Sequence, residues 1–191
     1  MFDTAIEMYA RHGWAGFTFE AVTRGSGIGK AALYRRWTDR GALLSDTLRA
    51  RWFDVEAIDT GSLRTDLHSL AVMTMTHMTS SYGRAAIQMI QDTWAYPEVA
   101  TATGAYRQAV VAASRTIVLR GIRRHELPKG TSPGLILDLV VGGAMNHVAN
   151  TPPDHVRKLA DSIAEVAQAL VDVVLDGVAP EPARTAGGSP R

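Results

Sequence analysis

Apolar side chains recur at intervals of three and four residues along most of the chain, which is the spacing of an amphipathic α-helix. No stretch shows the strict alternation of apolar and polar residues that is typical of a half-buried β-strand. The most regular stripe lies near the C-terminus and comprises Val156, Leu159, Ile163, Val166, Leu170 and Val173. The pattern therefore predicts an all-α fold without an internal repeat.

Two short helices joined by a tight turn are predicted between Thr18 and Trp37. Thr18 directly precedes an apolar run, so its hydroxyl can cap the first of these helices. Gly25 and Gly27 permit a positive φ, which lets the chain leave that helix sharply. A second helix can then start at a steep angle to the first.

The second helix of this pair should begin at Gly29 or Lys30, with Leu33 and Trp37 on its inward face. Residues 24–40 contain five cations and one acid, whereas the whole chain carries a net charge of only +1. An isolated basic helix is usually the solvated face of a small domain. Combined with the glycine turn and the apolar anchors, however, the charge indicates a helix-turn-helix that contacts duplex DNA.

A first helix precedes this motif and a fourth follows it. The first is expected to end at Gly13. Asp39 is placed to cap the fourth helix, which carries Leu44, Leu48 and Trp52 at helical spacing. A small polar cluster at residues 59–62 predicts the loop that ends this part of the chain.

Five further helices are predicted after that loop. They run from Leu63 to about Ser81, from Arg84 to Trp94, from Pro97 to about Arg124, from Pro133 to about Ala149, and from the turn at Pro152 to Gly177. The tail at residues 179–191 is rich in proline, glycine and small residues, and we expect it to be disordered.

Composition narrows the class of protein. The 191 residues are 46% hydrophobic, enough for a sizeable core, and no cysteine is present, which fits a reducing compartment. No cationic leader and no run of about 20 apolar residues appears, so we expect a cytoplasmic protein without a membrane partner. The histidines show no H-x-x-x-H pair, and no catalytic serine elbow or phosphate-binding loop is present. We therefore expect neither an enzyme nor a metal or other cofactor.

The run from Gly13 to Leu43 resembles the N-terminal domain of tetracycline-repressor (TetR) family regulators. It contains G-W-x-x-F-T-F-x-x-V, then G-I-G-K-x-x-L-Y-x-x-W, and then R-x-x-L at uninterrupted spacing. The resemblance covers about the first quarter of the chain. It implies a transcriptional regulator with an N-terminal DNA-binding domain at residues 1–56 and a helical ligand-binding and dimerisation domain at residues 57–178.

The resemblance also implies roles for individual residues. Lys30, Ala31 and Arg35 would face base edges in the major groove of a DNA operator. Phosphate contacts would come from Thr18, Tyr34, Arg36 and Arg40. The last two helices would pair with those of a second copy in a four-helix homodimer interface. Gly142 and Gly143 would permit close approach there, although they would equally relieve crowding within one subunit.

Three features depart from the pattern of the family. Gly29 stands where a serine cap is common, and Ala32 replaces a common threonine. Met1 falls inside what should be the first helix, so we expect either a truncated start or a reader with fewer DNA contacts. These departures keep an alternative open, a helical small-molecule-binding dimer whose DNA reader has decayed. Retention of the cations argues against that alternative.

A small-molecule effector of unidentified chemistry is expected in the C-terminal domain. Its candidate lining combines flexible apolar groups with a few polar ones: Met73, His77, Met78, Met89, Trp94, Tyr106, Met145, Asn146 and His147. The methionines are equally explained as core filler, and the histidines as satisfied structural groups. The sequence therefore predicts a ligand-responsive regulator, most simply a repressor, that binds a palindromic operator as a homodimer.

Overall fold

The computed structural model describes residues 1–51 and 54–178, and within them every regular element is a helix. The nine α-helices of these ranges are α1 (Phe2–Gly16), α2 (Phe19–Ser26), α3 (Lys30–Arg36), α4 (Arg40–Arg51), α5 (Leu63–Met78), α6 (Ser81–Ala95), α7 (Pro97–Arg123), α8 (Pro133–Ala149) and α9 (Val156–Val178). Single 3₁₀ turns lie at Val55–Ala57 and Pro153–His155. The all-α prediction is confirmed. The predictions for Trp52 and for the tail at 179–191 fall outside the described residues.

Helix boundaries follow local chemistry at most of the predicted positions. Asp39 Oδ1 accepts the amide of Ala42 at 2.8 Å and so caps α4, as its position predicts. Ser132 caps α8 through the Leu135 amide, and a proline follows at the first helical position. Helix α6 begins three residues earlier than predicted, because the hydroxyl of Ser80 accepts the Tyr82 amide at 3.1 Å.

Helix α1 departs from the prediction at Gly13. The chain leaves helical geometry there, with φ 58° and ψ −168°, but resumes one short turn that ends at Gly16. The positive φ suits glycine, and a Cβ at this position would come within 2.9 Å of Gln88 on α6. Gly13 therefore kinks α1 against α6 instead of ending it.

Two hydrophobic clusters hold the helices together. The N-terminal cluster comprises Ala5, Ile6, Tyr9, Trp14, Phe17, Phe19, Val22, Leu33, Trp37, Leu43, Leu44, Leu48, Ala85, Met89 and Val99. The body cluster draws mainly on α5, α8, α9 and the C-terminal half of α7. The N-terminal cluster thus includes residues of α6 and of the start of α7, so the packing unit around α1–α4 extends into the second half of the chain.

A buried carboxylate fastens the loop before α5. Asp66 is fully buried, and its Oδ1 accepts the amide and the hydroxyl of Thr60, each at 2.7 Å. Its Oδ2 lies 3.3 Å from a guanidinium nitrogen of Arg124 and 3.7 Å from one of Arg120. Burial opposes ionisation, but these hydrogen bonds and cations outweigh it and lower the pKa of Asp66. Its contribution to stability is therefore present above the ordinary carboxyl pKa and is lost as the pH falls through the lowered value.

We expect Asp66→Ala to lower the free energy of unfolding by about 2–4 kcal/mol, because it leaves the Thr60 amide and two guanidinium groups without their buried acceptor. Urea denaturation followed by circular dichroism measures the change. Asp59→Ala is the matched control, since Asp59 faces the same two arginines from a half-exposed position and should cost under about 1 kcal/mol. Equal losses in the two variants would contradict the role given to Asp66.

Candidate nucleic-acid interface

The predicted helix-turn-helix is present as α2, a glycine turn and α3. Thr18 has extended backbone geometry, and its Oγ1 accepts the Ala21 amide at 3.1 Å, so it caps α2 as the sequence predicts. Gly27 ends α2 in the left-handed region with φ 70°, and its amide donates to the Thr23 carbonyl. Gly29 precedes α3 without a side-chain cap. Three residues, 27–29, therefore separate α2 from the second short helix.

One face of α3 is anchored in the N-terminal cluster. Leu33 is only 1% exposed and Trp37 is 4% exposed. The indole nitrogen of Trp37 also donates to Asp46 Oδ2 on α4 at 2.9 Å. These contacts fix the inner side of α3 against the core. The packing therefore determines which way the outer side of the helix faces.

The opposite face of α3 is polar and open to solvent. Its exposed residues are Lys30, Ala31, Tyr34, Arg35 and Arg36. Arg36 lies over the ring of Trp37, 4.8 Å from its centroid, and Tyr34 packs edge-on against Phe19 with centroids 4.7 Å apart. Four of the seven predicted DNA contacts, Lys30, Ala31, Tyr34 and Arg35, thus lie within an arc of about 140° on the helix surface, and the exposed Arg36 lies about 100° beyond that arc.

Glu20 of α2 contacts two of these residues, a feature that the sequence analysis did not identify. Its Oε1 lies 2.5 Å from Lys30 Nζ, and the Lys30 ammonium lies 5.5 Å from the Tyr34 ring centroid. The hydrogen bond from Lys30 is the main reason that the pKa of Glu20 is lowered, and the Tyr34 hydroxyl contributes a weaker one. The same bond raises the pKa of Lys30. In the free protein, Glu20 therefore contacts two of the donors expected to face DNA, Lys30 and Tyr34.

Arg40 lies on the inner side of the motif. Its guanidinium donates to the Trp14 carbonyl at 2.8 Å and lies 3.9 Å from the centroid of the Trp14 ring. A longer bond of 3.5 Å reaches the Phe17 carbonyl. Arg40 therefore fastens the junction of α1 and α2, and the phosphate contact predicted for it stays a prediction.

A buried carboxylate connects this unit to α6. The Trp14 amide, released from the helix by the kink at Gly13, donates to Asp92 Oδ2 at 2.8 Å. Gln88 donates to the other oxygen at 3.1 Å. Burial, with the Asp92 carboxylate beside it, raises the pKa of Tyr9. The contact between α1 and α6 is thus polar as well as apolar, and Asp92 has no local sequence signal that would have identified it.

Two adjoining cavities lie among α5, α6, α7 and α8. The first, of about 180 Å³, is lined in part by His77, Met78 and Met145. The second, of about 190 Å³, is lined in part by Met89, Tyr106 and Met145. Five of the nine predicted ligand-binding residues are therefore brought together around the two cavities.

The other four predicted ligand-binding residues line neither cavity. Met73 packs against the body cluster, and Trp94 is 89% exposed on α6. Asn146 and His147 are exposed on α8, where the Asn146 side chain accepts a hydrogen bond from Asn150. Their roles in binding stay predictions.

Within the described ranges, no helix combines the length and the apolar character needed to cross a membrane. In the same part of the chain, no group of three or more His, Cys, Asp or Glu side chains is arranged to hold a metal ion.

Comparisons with known proteins match both halves of the chain. Residues 2–47 match the tetR family of bacterial regulatory proteins, and residues 57–176 match the tetracyclin repressor-like C-terminal domain. The HTH-type transcriptional regulator AqdR of Rhodococcus erythropolis is 29% identical over 145 residues, which are 75% of this chain and 70% of that protein. The DNA-binding transcriptional repressor TetR of Mycobacteroides abscessus is 36% identical over 65 residues, 33% of this chain and 34% of that one.

Solved structures show the same architecture. The crystal structure of the TetR family transcription regulator SCO0332 is 25% identical, with a TM-score of 0.63 over 94% of this chain and 96% of that chain. The matched domains cover the helix-turn-helix and most of the helices that follow it. The chain therefore belongs to the tetracycline-repressor family of bacterial transcriptional regulators.

Proposed function

We propose that this regulator is a ligand-responsive repressor that binds a palindromic DNA operator as a homodimer, with α3 as the reading helix. The observation that carries the proposal is the outer face of α3, where an exposed row of cations and a tyrosine stands on a helix anchored by Leu33 and Trp37. An anchored helix can present its cations to the major groove in one orientation. Because chromosomal DNA is the proposed target, the protein would act in the cytoplasm.

The contacts of this interface divide into two kinds. Lys30, Ala31 and Arg35 would face base edges, and Arg35 can pair with a guanine through two hydrogen bonds. Tyr34 and Arg36 would hold phosphates, and Thr18 can add its hydroxyl proton while it still caps α2. We propose that residues 1–56 form this DNA-reading unit, and that its phosphate contacts set register and salt dependence.

In the proposed homodimer, α8 and α9 form the interface, and the second subunit supplies a second copy of α3. Leu135 and Leu139 on α8 are 58% and 45% exposed, and Val173 on α9 is 74% exposed, so these helices carry apolar surface that one subunit leaves open. The two glycines of α8 differ. A Cβ at Gly143 would come within 3.0 Å of Leu170 in the same subunit, whereas a Cβ at Gly142 would meet nothing within 4 Å. Gly142 is thus free to permit close approach of a partner.

Occupation of a promoter supports repression, and the position of the two cavities supports a ligand response. A protein that occupies a promoter can repress without contacting polymerase, and one relative is named as a repressor. The two cavities lie beside α6, which is bonded to α1 through Asp92. A ligand that prefers one arrangement of α6 would therefore change the separation of the two readers and hence the affinity for DNA.

Selection from a randomised duplex pool tests the reader. We expect the full chain to recover a palindrome with half-sites about one helical turn, roughly 34–36 Å, apart. On that duplex, Lys30→Ala and Tyr34→Phe should weaken binding, because one removes a cation and the other a hydroxyl hydrogen bond.

Arg123→Ala is the control for both variants. Arg123 is exposed near the C-terminal end of α7, whereas α4 packs on the N-terminal end near Ala102, about 30 Å away at 1.5 Å per residue. Binding titrations at several salt concentrations measure each effect. Failure to enrich a palindrome would contradict the proposal, and so would equal affinities in all variants.

Leu139→Glu tests the dimer. A charge in the middle of the exposed α8 stripe should give a folded monomer and weaken operator binding at least about 100-fold, since a single reader retains little specificity. Analytical ultracentrifugation gives the mass, and circular dichroism checks the fold. Ile87→Glu on α6, at a position of similar exposure, should remain dimeric. A Leu139→Glu protein that is still a dimer would place the interface elsewhere.

Glu20→Gln should increase affinity for any duplex about three- to tenfold and steepen its salt dependence, because Lys30 is released and a negative charge beside the phosphates is removed. Fluorescence anisotropy with operator and unrelated duplexes measures both. Asp59→Asn removes the same charge from a half-exposed position beside Arg120 and Arg124, at the C-terminal end of α7, and should change little. If Glu20→Gln binds no more tightly than this control, the contact between Glu20 and Lys30 does not compete with DNA.

A further inference from the structure

We propose that the effector is an elongated, mainly apolar molecule with one anionic head group, whose apolar part spans the two adjoining cavities and whose head group is held by Arg107. This inference rests on the proposed ligand response and specifies the chemistry of the ligand. It follows from the shape of the cavities, from the state of their polar groups and from the single charge at their edge.

The two cavities adjoin one another. Both are lined by Ala86, Val110 and Met145, so these three residues lie at the boundary between them. At about 180 and 190 Å³, each is somewhat larger than the roughly 150 Å³ apolar cavity that is known to accommodate benzene. A ligand that fills both therefore has two ring-sized halves or is a chain of comparable length.

The serine and threonine hydroxyls of the lining are already bonded to the helices that carry them, and the Tyr82 hydroxyl donates to Asp3 Oδ1 at 3.0 Å. Thr74 donates to the Leu70 carbonyl at 2.8 Å, Ser114 to the Val110 carbonyl at 2.9 Å, and Thr93 to the Met89 carbonyl at 2.7 Å. The rest of the lining is dominated by alanine, valine, leucine, isoleucine and methionine. Apart from Arg107, the other polar side chains of the lining are His77 and Tyr106, too few to replace the water of a strongly polar ligand, so the buried part of the ligand is mainly apolar.

The charge at the edge of the second cavity is positive. Arg107 of α7 lines that cavity from an exposed position, and it forms no ion pair with a described residue. Neither set of lining residues in the described chain includes an aspartate or a glutamate. The acids Asp54 and Glu56 line a neighbouring cleft, which also contains Arg49 and shares Tyr106 and Val110 with the second cavity. Within the two cavities themselves, a lipophilic cation would therefore meet a like charge and no carboxylate, whereas an anionic head group would find a guanidinium able to donate two hydrogen bonds.

Three probes with the same alkyl chain and different head groups test the proposal: dodecanoate, dodecan-1-ol and dodecyltrimethylammonium. The full chain is titrated with each probe below its micelle-forming concentration, and binding is followed by calorimetry and by the shift in melting temperature. We expect dodecanoate to bind about five- to tenfold more tightly than the alcohol, through a charge-assisted bond to an exposed arginine, and the ammonium probe to bind most weakly. An ammonium probe that binds as tightly as dodecanoate overturns the proposal, and so does a failure of all three to bind.

Variants separate the head-group site from the cavity. Arg107→Gln should abolish the preference for dodecanoate over the alcohol and leave alcohol binding unchanged. Arg123→Gln, about four helical turns along α7, exposed and outside both cavities, is the matched control and should keep the preference. Ala86→Phe and Val110→Phe should each block binding of the chain in a protein that still folds by circular dichroism. A preference that survives in Arg107→Gln overturns the role of Arg107, and dodecanoate binding unchanged in both phenylalanine variants overturns the cavity assignment.

The last measurement connects the ligand to DNA. Dodecanoate should change operator affinity by about 5- to 150-fold, the usual range for coupled sites. No change would overturn its identification as an effector type. Because probe binding is measured without DNA, its failure is distinguishable from a failure of the operator selection, which would remove the proposed function and leave the ligand chemistry standing.

Discussion

The packing of this regulator depends on one buried hydrogen bond, from the Trp14 amide to the Asp92 carboxylate. The positive φ of Gly13 breaks α1 and leaves that amide without a helical acceptor, and Asp92 supplies one at 2.8 Å. An unsatisfied amide or an unpartnered carboxylate at this depth would be costly, so the two helices stay together. The DNA-reading end and the body of the molecule are therefore connected by a specific polar contact as well as by apolar surface.

Helix α6 faces two ways. Gln88 and Asp92 meet α1 on one side, while Ile90 and Thr93 line the second cavity. Met89 belongs both to the N-terminal cluster and to the cavity lining. Helix α7 also lines both cavities, and α4 packs on it. These two cavity-lining helices are therefore both in contact with the N-terminal helices, α6 through α1 and α7 through α4.

Local signals predicted the helices well, because capping and periodicity act over a few residues. Thr18, Gly27 and Ser132 end or start helices as their chemistry requires. Gly83 directly precedes the predicted start of the helix at Arg84, but it lies inside α6. A Cβ at this position would come within 2.2 Å of the Met78 carbonyl oxygen. There, glycine is needed for close packing with the preceding helix, and spacing along the chain cannot show that.

The exposed cations of α3 could be predicted because they share one helix, and the resemblance to the family supplied the DNA-reading role that we propose for them. Contacts between helices were beyond prediction. The pairing of Glu20 with Lys30 depends on how α2 and α3 cross, and the inward turn of Arg40 depends on how α4 packs on α1. Trp94 was predicted as ligand lining from its residue type, but α6 turns it to solvent. Side-chain type indicated the chemistry available, and the tertiary arrangement decided its use.

The composition of the N-terminal cluster has a consequence for how such regulators diversify. Ala85, Met89 and Val99 complete a core whose other members all precede residue 49. Recombination that joined these first helices to an unrelated body would expose part of that core and remove the acceptor of the Trp14 amide. New pairings of operator and effector are therefore more accessible by gradual substitution on the outer face of α3 and in the cavity lining than by exchange of whole segments.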